Sequence, residues 1–165
     1  MEGRYWDAMR PLLTLAMLVA LALPVAATAR TKGANDGTLS VQDGRGTIII
    51  SARGGVIGSF ARGSVTINDP IDGDGTGPIV TGDDWSRERS DTVTTWGGTK
   101  VRFRIIGGSF RVVVKGRGIN LSLIGRGQVT LNGAGTDDDG TYSVNGGQYS
   151  AIPDLFVFPL SATAP

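Results

Sequence analysis

Two clusters of polar residues in this 165-residue chain have types and spacings that could do chemistry. The first is basic. Seven Lys or Arg residues and no acidic residue fall between Lys100 and Asn132. Alternate residues of a strand share one face. Arg102 and Arg104 therefore share an outward face, as do Arg111 and Lys115 on the strand expected to follow. Together they predict a basic sheet face, which can hold an anionic polymer by summed electrostatics. The same charges would also keep strand edges from pairing. Thr38, Ser40, Thr47 and Ser51 stand 64 positions earlier, so the fold itself does not demand the charge.

The second cluster is acidic. From Asp72 the loop follows the spacing of an EF-hand: Asp72, Asp74, Thr76, the bend residue Gly77, the apolar Ile79, then Asp83 at the twelfth position. Hard oxygen donors at alternating positions suit calcium, the one cofactor this sequence suggests. Against it, the flanks read as strands and the last ligand is Asp rather than Glu. Asp-Gly pairs are also ordinary turn formers. Asp137-Asp138-Asp139-Gly140 is a second acidic turn.

Other chemistries lack their residues. There is no histidine and no cysteine, and Glu2 and Glu88 are the only glutamates. This removes the commonest general base and every Ser-His or Cys-His pair. An enzyme is not expected. An Asp-dependent hydrolase is the third reading, since two carboxylates across a cleft can cleave a glycoside.

The elements that position these residues are strands. From Val101 to Asn132 apolar residues recur with period two: Val101, Phe103, Ile105; Phe110, Val112, Val114; Ile119, Leu121, Leu123; Val129, Leu131. That is the pattern of half-buried strands. Gly107-Gly108, Gly116-Arg117-Gly118 and Gly125-Arg126-Gly127 break the runs, and glycine supplies the positive φ of tight hairpins. A four-stranded meander is predicted. Residues 37–68 align with 101–132 without a gap, matching Leu39 to Phe103, Ile48 to Val112, Ile50 to Val114 and Ile57 to Leu121. A fixed repeat of this kind predicts an internal duplication. The units are 37–98 and 99–165, each with a further short strand near 79–81 or 142–144. The stretch 83–98 reads as a polar connection, with Trp85 and Trp96 over core ends. Leu155 to Phe158 reads as a closing edge strand. The fold class expected is all-β: an antiparallel sandwich or barrel of two four-to-five-strand meanders laid apolar face to apolar face. A β-solenoid is the alternative.

At the N-terminus, Arg4 and Arg10 precede an apolar run from Leu12 to Leu23 interrupted only by Thr14, and Ala27-Thr28-Ala29 follows. This predicts a signal peptide over 1–29 and a mature start at Arg30, with an uncleaved anchor as the alternative. Residues 30–36 read as a flexible linker. The function expected is that of a secreted, non-catalytic β-domain with structural or surface-binding work in the envelope or outside the cell. Its partners would be anionic polysaccharide, envelope polymer or lipid headgroups rather than nucleic acid. A calcium-stabilised adhesive or carbohydrate-binding module is the second reading.

Overall fold

A computed structural model describes residues 32–136 and 138–164. The expected signal peptide lies outside the described residues. The described chain is all-β, with seven strands: β1 (Gly37–Asn68), β2 (Gly75–Thr81), β3 (Trp85–Ser90), β4 (Val93–Gly133), β5 (Thr141–Val144), β6 (Ser150–Ala151) and β7 (Phe156–Leu160). All ladders are antiparallel.

The glycine breaks do not reverse the chain. β1 runs on for 32 residues and β4 for 41, through every expected turn. Among the described residues no part of β1 pairs with β1, and no part of β4 with β4. The ladder joins the two aligned stretches to each other instead. It does so twice: Ile48 pairs with Val114 on one side and Leu131 on the other, and Val112 pairs with both Ile50 and Ile67. The two partners of Ile48 are seventeen positions apart, and those of Val56, which are Ile105 and Leu123, are eighteen apart. An antiparallel ribbon with that offset must wind. Each turn advances by two strand spacings, about 9.6 Å. The winding is what a solenoid would have, but two antiparallel strands share it. The sheet is open and does not close into a barrel.

Glycines mark the bends of the coil. Gly37, Gly125 and Gly54 line up along one bend, and Gly133, Gly46, Gly116, Gly63 and Gly98 along another. The Gly63–Gly116 pair shows why. A Cβ on Gly63, whose φ is +156°, would lie 2.0 Å from the carbonyl oxygen of Lys115; one on Gly116 would lie 2.3 Å from that of Arg62. Only side-chain-free backbones can pass this closely while turning. A bend and a hairpin thus draw on the same residue, and this is where the meander expectation departs from the fold.

The bends divide the coil into two rows of strand segments. The first row reads β6, β5, 37–45, 117–125, 54–62, 99–107, β2. The second reads β7, 126–133, 46–53, 109–116, 63–68, 93–98, β3. Inward residues from both rows form a single core that includes Leu39, Ile50, Phe60, Val65, Phe103, Val112, Leu123 and Leu131. Most inward assignments match the period-two pattern. Ile57 does not: it is 62% exposed, and Val56 and Phe60 are inside. β1 runs straight through the turn expected at Arg53-Gly54, with Gly54 and Gly55 in register against Gly125 and Ile124. The inward parity of Ile48, Ile50 and Ala52 therefore continues to Val56 and Phe60 and leaves Ile57 outside.

Other segments also differ from expectation. The polar connection over 83–98 is a hairpin, with Trp85 paired to Gly97 and Ser90 to Val93. Trp96 packs against the core, whereas Trp85 lies outside, its ring over Gly97. The boundary between the expected units, at 98/99, falls inside β4. Within the expected linker, Gly33 to Asp36 forms a turn closed at both ends, and Asn35 accepts a hydrogen bond from the Ala162 amide. The closing strand is observed as β7 and carries Pro159. At the other end of the second row β3 is exposed along its whole length and carries Arg87, Glu88 and Arg89. Proline and charge at these positions hinder edge-to-edge pairing.

Candidate functional site

The basic residues are exposed, as their alternation requires, but they do not share one face. Arg102 and Arg104 lie on the 99–107 segment of the first row, and Arg111 and Lys115 on the 109–116 segment of the second. These two segments do not pair, because Gly107-Gly108 is a bend between rows rather than a hairpin. Arg111 pairs with Ser51 and Asn68, and its guanidinium donates to the Ser51 hydroxyl at 3.1 Å. Lys115 pairs with Thr47 and Ser64.

Arg102 and Arg104 occupy the more distinctive surroundings. Val101, Phe103 and Ile105 are fully buried and fix the segment that carries them. Phe103 faces Gly58 across the ladder, and a Cβ on Gly58 would lie 2.3 Å from its ring. The aromatic ring thus fills the space that glycine leaves empty. On the outer surface the ladder arranges residues as a grid. Arg104 lies between Ile57 and Ile79, with Ser122 beyond Ile57. Arg102 lies between Ser59 and Thr81, with Asn120 beyond Ser59. These residues line an open groove of about 630 Å³. No carboxylate occupies the ladder positions beside either arginine. Sequence reasoning found the arginines and missed the isoleucines. The turn expected at Arg53-Gly54 puts Ile57 in the core; the strand runs straight through that point, and the alternation of Ile48, Ile50 and Val56 then turns Ile57 outward.

The equivalent surface over 37–44 is covered. The Tyr149 hydroxyl is 2.8 Å from that of Ser40. Asn145, with φ 52°, accepts from the Thr38 amide and donates to the Ser161 and Ala164 carbonyls. This clamp was also missed, although the dipeptide Asn145-Gly146 is a readable turn signal.

The acidic residues are engaged in turns. Asp74 accepts from the Ser109 amide at 2.9 Å and so holds the 107–108 bend. Thr76 is already part of β2, and Asp83 lies past its far end. At ~3.3 Å of rise per residue, β2 separates Asp74 from Asp83 by far more than one cation can span. The structure therefore does not bring Asp72, Asp74, Thr76 and Asp83 together, and no group of three or more acidic residues placed to hold a metal occurs among the described residues. Asp69 lies in the same turn. Burial, and then the carboxylates of Asp74 and Asp72, push its carboxyl above the usual carboxylate range. Asp139 is the opposite case. It accepts from the Thr136 hydroxyl and from the amides of Gly135 and Thr136. These bonds, the hydroxyl foremost, hold its carboxyl below the usual range. Hydrogen bonds to the ionised form have this sign.

No family model matches the sequence, no curated protein is similar to it, and no solved structure matches the fold. The chemistry of the site therefore rests on its own residues.

Proposed function

We propose that this chain is an exported, non-catalytic β-domain that binds an anionic partner of the envelope or extracellular space in the Arg102–Arg104 groove. One observation carries the reading. Two exposed arginines project from adjacent outward positions into a concave surface whose polar neighbours are hydroxyls and an amide, not carboxylates. Guanidinium groups in such a setting are free to form charge-assisted bonds to carboxylate, sulfate or phosphate. The Leu12–Leu23 run with its basic flank supports export. The lack of histidine and cysteine supports binding rather than catalysis.

The test is binding of the full mature chain to polygalacturonate across a salt series. Binding should weaken as salt rises, should be lost in Arg102→Ser/Arg104→Ser, and should persist in Arg111→Ser/Lys115→Ser. Equal loss in both double variants, or no salt-sensitive binding at all, overturns the proposal.

The same reading takes the two aligned stretches as intertwined copies of one unit rather than as separate meanders. The strand order supports this. β2 follows the first stretch and pairs with 102–107, while β5 follows the second and pairs with 39–42. Exchanging the copies and reversing the row leaves the order from β5 to β2 unchanged. A chain in which 37–98 is replaced by a second copy of 101–162 should then fold to the same circular dichroism spectrum. Aggregation of that chain would count against duplication.

A further inference from the structure

The groove is asymmetric along the strand, and the asymmetry describes a ligand. Arg104 emerges from an aliphatic collar: Ile57 and Ile79 flank it on the ladder, and Ile106 lies two residues on. All three are exposed, at 62%, 39% and 37%. Beside Ile106 the ladder positions are Gly55, which has no side chain to cover it, and Thr76. One pleat the other way, Arg102 is surrounded by Ser59, Thr81 and Asn120. The groove thus has an apolar end and a polar, hydrogen-bonding end, with a guanidinium at each.

No exposed aromatic ring lines it. Phe103 contributes only to the floor, since its ring is buried. A flat platform for stacking a sugar ring is therefore missing. A planar membrane surface also fits poorly into a concavity.

We infer that the groove binds a single anionic amphiphile: an aliphatic chain bearing a carboxylate, sulfate or phosphate. The head takes the guanidinium and hydroxyl groups at the Arg102 end. The chain lies on Ile57 and Ile79 and points toward Ile106. This inference rests on the anion-binding reading above and narrows it. Removing apolar surface from water favours the chain, and the paired guanidinium groups make the head's charge necessary.

Titration calorimetry on the full mature chain separates the terms. Four probes are used: decanoate below its micelle concentration, acetate, octyl glucoside, and polygalacturonate. Decanoate should bind at least ~tenfold tighter than acetate, which has the head alone, and than octyl glucoside, which has a tail but no charge. Ile57→Thr/Ile79→Thr keeps β-branched residues in the strand and should abolish the advantage of decanoate over acetate. Arg102→Ser/Arg104→Ser should abolish binding of both. Equal affinity for decanoate and acetate, equal affinity for decanoate and octyl glucoside, or an unchanged decanoate affinity in the Ile variant each overturns the inference. If polygalacturonate still binds in a salt-sensitive way after such a result, the anion-binding reading stands and only the amphiphile is lost. If neither binds, both fall.

Discussion

Segments 37–44 and 101–106 align in sequence and occupy equivalent places in the coil, yet one is covered and the other open. Each is flanked by a short strand of the first row, 37–44 by β5 and 101–106 by β2. Their inward residues play the same part: Leu39 and Val41 in one, Phe103 and Ile105 in the other, all within the core. Their outward residues do not. Thr38 and Ser40 meet the Asn145–Tyr149 segment, whereas Arg102 and Arg104 meet solvent. The inward face is held by packing, so it tolerates little. The outward face is free to diverge, and it is there that a binding surface could develop.

The largest effects should come from the shared inward face. Leu39→Ala and Phe103→Ala should each cost about 3 kcal/mol or more in denaturant melts. A cost below about 1 kcal/mol at one position alone would show that the segments are not equivalent inside. Next come the two acidic turns that precede β2 and β5, and they should respond to pH with opposite signs. Asp139 has its carboxyl lowered, so its stabilisation is present above the ordinary carboxylate value and is lost as pH falls through its folded value. Asp69 has its carboxyl raised, so the fold loses stability as pH rises from the ordinary value through the folded one. Accordingly, Asp139→Asn should lower the melting temperature at neutral pH, and Asp69→Asn should raise it. Melting curves at pH 7 with the same sign for both would remove the contrast.

Arg102→Thr/Arg104→Ser, which installs residues of the covered segment on the open one, should change stability by no more than about 0.5 kcal/mol. A larger loss in denaturant melts would mean that the arginines hold the fold rather than await a ligand. A comparably small effect is expected at the cover. Tyr149→Phe removes one exposed hydrogen bond to Ser40 and should cost about 0.5 kcal/mol by the same measurement.

Much of the fold is legible in the sequence because burial has period two. Leu39, Ile48, Ile50, Val112, Val114 and Leu131 all point inward as their alternation predicts. The positions of the glycines are legible too. What they do is not, since a backbone that bends and a backbone that reverses both call for a residue without a Cβ. From that one ambiguity the rest follows. Treating Gly107-Gly108 as a reversal puts Arg111 and Lys115 beside Arg102 and Arg104; treating it as a bend sends them to the other row. Ladder partners also lie far apart in the chain, with Gly37 paired to Gly125, and no local pattern encodes such a distance. Of the candidate site, charge was legible and its aliphatic collar was not. Ile57 and Ile79 become neighbours of Arg104 only through those distant pairings.

The absence of pairing within β1 has a consequence for how the molecule is made. During synthesis residues 37–68 have no ladder partner until the chain beyond residue 93 has emerged. Contacts so distant in sequence form slowly, because a large loop must close before any of them is gained. The first half is therefore obliged to wait as an unpaired thread. If the chain is exported as proposed, that delay keeps it threadable until it has crossed the membrane.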